Sequence, residues 1–186
     1  MIDFAVLWDK GMTFENFAAA SEKQRGLWEG LHKIAVVPDW ALAAVTPGTT
    51  RKLVVIAEDW CGDASSSIPV VARFVEAMPG FELRLIRRDE HPEVMDQYLT
   101  NGSRSIPIVI ALDEQFREIG HWGPRPAVLQ EWVMANRPTV PKAELYPKVR
   151  SWYARDRGAT TLREVLAAAG VSVTAPAQNI QLLPTE

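Results

Sequence analysis

One cysteine, Cys61, stands in 186 residues. A single thiol excludes an internal disulfide and fits a reducing, cytoplasmic compartment. Histidine is nearly as scarce. His32, His91 and His121 lie far apart, and none has metal-ligand spacing with another histidine or with Cys61, so neither a metal nor a cofactor is expected. The chain also lacks a long basic run, and its net charge is −3, which argues against nucleic acid or an anionic membrane as a partner. No apolar stretch reaches the length of a bilayer span. The start, "MIDFAVLWDK", puts acids where a signal peptide needs a positive n-region. Gly102 and Gly120 show no phosphate-loop spacing, and no internal repeat or low-complexity tract is evident.

Apolar residues are plentiful, at 47%, so the chain can bury a core. Its length fits one domain with additions. Thr13 is expected to cap a helix through "FENFAAASEKQRGLWEGLHKIA", where Phe14, Phe17, Leu27, Trp28, Leu31 and Ile34 recur at helical spacing. Pro38 and "TPGTT" at 46–50 mark turns. From Arg51 the pattern changes. "KLVVIA" is continuous and β-branched, as a strand buried on both faces should be. A helix over 62–78, a strand at 81–88, a short helix ended by Asn101-Gly102, strands at 106–112 and 116–122, and a helix through "PAVLQEWVMAN" follow. The order is β-α-β-α-β-β-α. Strands joined by helices are expected to run parallel, and the last hairpin antiparallel. Beyond Pro138 the prolines suggest a link, then a helix "TLREVLAAAG" with Gly170 at its C-terminal end, then a tail of mixed character.

The stretch "EDWCGDAS" places Cys61 between the first buried strand and its helix. "W-C-G-D-A" at 60–64, Pro69 eight residues after the cysteine, "S-I-P-I" at 105–108 and Gly123 sixteen residues after Pro107 occur in order. With these features the chain resembles the thioredoxin superfamily over roughly residues 51–137. It looks most like a bacterial branch that reads W-C-G-D-C, with a helical N-terminal extension. The resemblance implies an α/β, thioredoxin-like fold: a central mixed sheet with flanking helices, plus helical extensions at both ends. It divides the chain into a helical extension at 1–50, the thioredoxin-like domain at 51–137, and a C-terminal extension and tail at 138–186, all in one compact unit. It further implies a cis bond between Ile106 and Pro107, with that proline facing the sulfur. This sequence departs from the pattern twice. Ala64 replaces the resolving cysteine, and Val55 stands where thioredoxins bury an acid that assists proton transfer.

These features name Cys61 as the catalytic candidate, Trp60, Ile106 and Pro107 as substrate-binding, and Gly62, Asp63 and Ala64 as adjacent to the site. A thiol at a helix N-terminus faces free N–H groups and the positive end of the dipole, which favour thiolate. Glu58, Asp59 and Asp63 oppose it. The helix end is expected to prevail slightly, giving an accessible thiol with a pKa of roughly 6.5–8. Without a second cysteine, a mixed disulfide at Cys61 persists until another thiol attacks it. The function implied is that of a monothiol thioredoxin-like protein, a thiol-disulfide oxidoreductase lacking its resolving cysteine. Its partners would be protein or low-molecular-weight thiols and disulfides. The alternative is a redox-inactive binding module that uses the groove around the cysteine and the proline.

Overall fold

The structure is a computed structural model and describes residues 2–174. Four short helices precede the sheet: α1 (Phe4–Lys10), α2 (Phe14–Ala19), α3 (Arg25–Ile34) and α4 (Asp39–Ala43). The side chain of Asp3 caps α1, and Thr13 Oγ1 accepts from Asn16 N to cap α2. The single helix expected after Thr13 is thus two helices. The chain breaks at 20–24, where Gln24 takes a left-handed φ of 57°. The break rotates the second half relative to the first. Phe14, Phe17 and Trp28 are buried together, whereas Leu27 and Ile34 point outward, Ile34 with 70% of its surface exposed.

The sheet and its helices follow: β1 (Arg51–Ala57), α5 (Gly62–Ala77), β2 (Phe81–Arg87), α6 (Pro92–Met95), β3 (Ile108–Leu112), β4 (Glu118–Trp122) and α7 (Ala127–Asn136). Strand order is β2-β1-β3-β4. β1 pairs with β2 in parallel and with β3 antiparallel, and β3–β4 is an antiparallel hairpin. The expectation that all helix-linked strands run parallel therefore fails at β3. A parallel return must carry the chain back along the sheet. The link from β2 to β3 holds only a four-residue helix, and β3 begins beside the end of β1, with Ile108 opposite Ile56. The link stays at one end of the sheet, so β3 must run the other way.

β1 and β3 occupy the centre, and every residue of β3 is buried. Ile68, Val71, Ala72 and Phe74 of α5 are buried in the same core, joined by Leu7, Trp8, Phe17 and Trp28 of the N-terminal helices. On the outer edge, Met12 exchanges two 2.8 Å backbone hydrogen bonds with Leu85, so the N-terminal arm covers part of β2.

The expected link beyond Pro138 is instead a long helix, α8 (Lys142–Asp156), followed by α9 (Ala159–Ala168). Pro147 sits six residues into α8, where it removes one intrahelical hydrogen bond. Burial of Leu145, Val149, Trp152, Tyr153 and Asp156 along one face holds the helix in place despite that loss. With Leu129, Trp132 and Val133 of α7, this face forms a second, smaller core. Gly158 joins α8 to α9 at φ 80°, and a Cβ there would lie 2.3 Å from Val70, so this turn fits against α5 only as glycine. Gly170, at φ 72°, ends α9 as the sequence suggests. Most of the C-terminal tail, residues 175–186, lies outside the described residues.

Candidate functional site

Three residues, 58–60, turn the chain from β1 into α5, and each is fixed from a different direction. Glu58 is buried. Its Oε1 accepts from Asp89 N at 2.9 Å, and Arg87 Nη1 lies 3.6 Å from its Oε2. Asp59 is buried as well, and its Oδ2 accepts from Glu22 N and Lys23 N, at 2.8 and 3.1 Å. Trp28 Nε1 donates to the Asp59 carbonyl, and Gln24 Nε2 donates to the Trp60 carbonyl at 2.7 Å. Ser65 Oγ then donates to Gln24 Oε1. The break between α2 and α3 is therefore a clamp. It turns 20–24 back onto the loop that presents Trp60 and Cys61.

Cys61 is the N-cap of α5, and its sulfur accepts from Ala64 N at 3.5 Å. The same thiol donates to the Ile106 carbonyl at 3.4 Å, across a peptide bond to Pro107 that is cis. Only 8% of Cys61 is exposed. Burial pushes its pKa up to about 11, and the nearby Asp63 carboxylate adds to that rise. The N–H groups of Ala64 and Asp63, and the charge of Arg125, pull the other way and do not prevail. The expectation of an accessible thiol with a lowered pKa is thus overturned. Lost hydration outweighs the helix end, because an anion at this depth exchanges its water shell for the N–H groups of Ala64 and Asp63 alone.

Asp63, expected only as a charge beside the site that opposes the thiolate, is itself part of a buried ion pair. It is buried, and Arg125 grips both its oxygens, Nε to Oδ1 at 2.9 Å and Nη2 to Oδ2 at 2.6 Å. Tyr153 of α8 donates its hydroxyl to the same Oδ1 at 3.2 Å, and Gln130 Oε1 accepts from Arg125. Burial pushes the Asp63 carboxyl up, with the Arg125 fork and the Tyr153 hydroxyl pulling it back. Burial and Asp63 together push the Tyr153 phenol up. The remaining adjacent residues are quiet: Ala64 is fully buried, and Gly62 O accepts from the hydroxyls of Ser65 and Ser66.

Trp60, Cys61 and Ile106 share an open groove of about 410 Å³. Trp60 is 40% exposed, and the Arg88 guanidinium lies 4.9 Å from its ring centroid. The opposite wall comes from α7 and α8 through Val133, Met134, Leu145 and Tyr146. Gly123 supports the proline from behind. Its φ is 135°, and a Cβ there would lie 2.2 Å from the Pro107 carbonyl oxygen. Of the residues expected at the site, Trp60, Cys61 and Ile106 line the groove, while Pro107 is buried and is not among the lining residues; Gln24, Arg125, Tyr153 and the α7–α8 wall were missed. Arg125 carried a faint signal, standing between two prolines just after Gly123. The histidines stay apart: His32 lies 2.6 Å from Glu76 and stacks on Phe14, while His121 is exposed on β4. No group of residues that could hold a metal ion occurs among the described residues, and no helix there is long and apolar enough to cross a membrane.

A family model described as thioredoxin matches residues 11–142. It takes in the clamp at 20–24, the Trp60–Ala64 turn, Pro107 and Arg125. Among solved structures, the chain is similar to a crystal structure of an HIV epitope-scaffold, with a TM-score of 0.72 and 19% identity over 91% of this chain and 98% of that one. It is also similar to a protein of unknown function from Pseudomonas aeruginosa, with a TM-score of 0.65 and 20% identity over 87% of this chain and 98% of the other. At these identities both likenesses speak to the fold alone. No curated protein matches the sequence.

Proposed function

This chain belongs to the thioredoxin family, and from that membership we propose that it acts as a binding module rather than a turnover catalyst. The observation that carries this reading is the place of Cys61: buried, with its sulfur 3.4 Å from the Ile106 carbonyl oxygen, where lost hydration pushes the thiol pKa up to about 11. Thiol exchange needs a thiolate. A thiol with a pKa near 11 is ionised in only about one molecule in ten thousand at neutral pH. Ala64 then offers nothing to release a captured disulfide. The groove, in contrast, stays open and keeps Trp60 at its rim. In this reading Ile106 forms part of the floor on which a partner lies, with Pro107 buried beside it, and Cys61 ties Ile106 to α5.

Monothiol exchange is the second reading. It is favoured by one feature, the sulfur's place on the groove wall with a helix N–H directed at it. Alkylation separates the two. Iodoacetamide at pH 7.5 is expected to modify native Cys61 at least about tenfold more slowly than N-acetylcysteine, with the rate climbing steeply above pH 9. Oxidised glutathione is expected to leave the protein mass unchanged. Alkylation as fast as the free thiol, or a stoichiometric mixed disulfide at neutral pH, would overturn the binding reading in favour of exchange.

A further inference from the structure

The groove carries a charge that the rest of the chain does not. Arg88, Arg104, Arg125, Arg137 and Lys142 line it, and the only carboxylate among its lining residues is Asp63, which Arg125 closes off. The chain as a whole has a net charge of −3. Three of the five cations are engaged: Arg125 by Asp63, Arg104 by both oxygens of Asp96, and Arg88 by Asp89. Arg137 and Lys142 are exposed and have no acidic partner among the described residues. They stand at the end of α7 and the start of α8, on the wall of the groove that these helices form.

Between these cations lies apolar surface. Trp60, Met134 and Tyr146 are 40%, 42% and 41% exposed, and all three border the groove. Exposed Trp, Tyr, Met and Arg with almost no carboxylate is the composition of an interface centre. A small inorganic anion has no use for that apolar surface, and a neutral apolar ligand has none for Arg137 and Lys142.

We propose that this groove binds an acidic segment of a partner protein, with an aromatic or aliphatic side chain against Trp60, Met134 and Tyr146 and flanking carboxylates at Arg137 and Lys142. The inference rests on the binding-module reading and names the class of partner. The two cations without an acidic partner among the described residues come from the start of α8 and the α7–α8 turn, so α8 is a working wall of the site. Complementary charge steers such a segment into the groove and sets its direction, while the apolar contacts hold it there.

An array of synthetic twelve-residue peptides of random sequence and varied net charge tests this on the full chain. Retained peptides are expected to be skewed toward negative charge and to carry an aromatic or aliphatic residue. Raising salt from roughly 50 to 500 mM should weaken the skew. Arg137→Glu with Lys142→Glu should lower acidic-peptide retention by about tenfold. Arg137→Gln with Lys142→Gln should lower it less, at an unchanged melting temperature. A retained set without charge skew, or a skew that survives both double variants, overturns the acidic partner and leaves a groove-binding module standing, provided Trp60→Ala still reduces retention. Retention of nothing, or retention indifferent to Trp60→Ala, overturns both readings.

Discussion

Tyr153, near the end of α8, donates its hydroxyl to Asp63, two residues after the single cysteine, across 3.2 Å. With Arg125 this makes a buried three-part junction that fixes the C-terminal helix to the start of α5. The groove wall carrying Leu145 and Tyr146 belongs to the helix that this junction anchors.

The junction predicts an asymmetric response to mutation. Arg125→Leu leaves the Asp63 carboxylate buried without its cation and is expected to cost about 3–5 kcal/mol in urea unfolding. Asp63→Asn added to it should recover part of that loss, because an amide is far cheaper to bury than an unpaired charge. Tyr153→Phe, which removes one hydrogen bond, should cost only about 1 kcal/mol. Equal losses in all three variants would show that the junction is not a coupled unit.

The elevated Cys61 pKa has a consequence for stability. A group held protonated by the fold contributes stability that is present below its unfolded pKa and lost as pH rises toward the folded one. For Cys61 the window runs from about 9 to about 11. Other groups titrate there too, so the measured quantity is the difference between wild type and Cys61→Ser. Wild type should lose on the order of 2–3 kcal/mol more than the variant across that window. Parallel pH profiles for the two proteins would mean an ordinary, hydrated thiol.

Gly123→Ala tests the support of the groove floor. The position needs both a φ of 135° and room beside the Pro107 carbonyl, where a Cβ would approach to 2.2 Å. Alanine satisfies neither, so a loss of more than about 2 kcal/mol is expected. Pro107 must shift to admit the methyl, which loosens the Ile106 carbonyl from the thiol. Iodoacetamide should therefore modify Cys61 faster in this variant than in wild type, measured under conditions where both remain folded.

What the sequence made legible was local. A β-branched run, a helical pattern after an isolated cysteine and a second apolar run gave β1, α5 and β3, while the resemblance to the thioredoxin superfamily implied that Pro107 faces Cys61. What stayed hidden depends on residues distant in the chain. Burial of Cys61 and Asp63 is completed by Arg125 and Tyr153, 62 and 90 residues beyond Asp63. The acids of "EDWCGD" read only as charges that would disfavour a thiolate. In the fold they are consumed instead, Glu58 by Asp89 N, Asp59 by the clamp at 22–23 and Asp63 by Arg125. α8 was missed because its three nearby prolines suggested a link. The spacing of Leu145, Val149, Trp152, Tyr153 and Asp156 already had the period of a helix and carried more weight.

The missing resolving cysteine can be put back. Ala64 lies one turn into α5, and its N–H already points at the Cys61 sulfur from 3.5 Å. Ala64→Cys is therefore expected to form a disulfide with Cys61 on mild oxidation, seen as a mass loss of two hydrogen atoms with both thiols protected from alkylation. Ala64 is fully buried, so the added sulfur should cost the reduced protein about 1–3 kcal/mol through overpacking. Insulin reduction driven by dithiothreitol should rise measurably above wild type, because a captured disulfide now has an internal thiol to release it. The gain should stay small. Asp63 and desolvation still oppose the Cys61 thiolate, and Val55, fully buried in β1, supplies no acid behind the pair. A fully active reductase from this one change would show that only the second cysteine separates the chain from catalysis. A disulfide that forms with no gain in turnover would assign the block to Val55 and the buried acids.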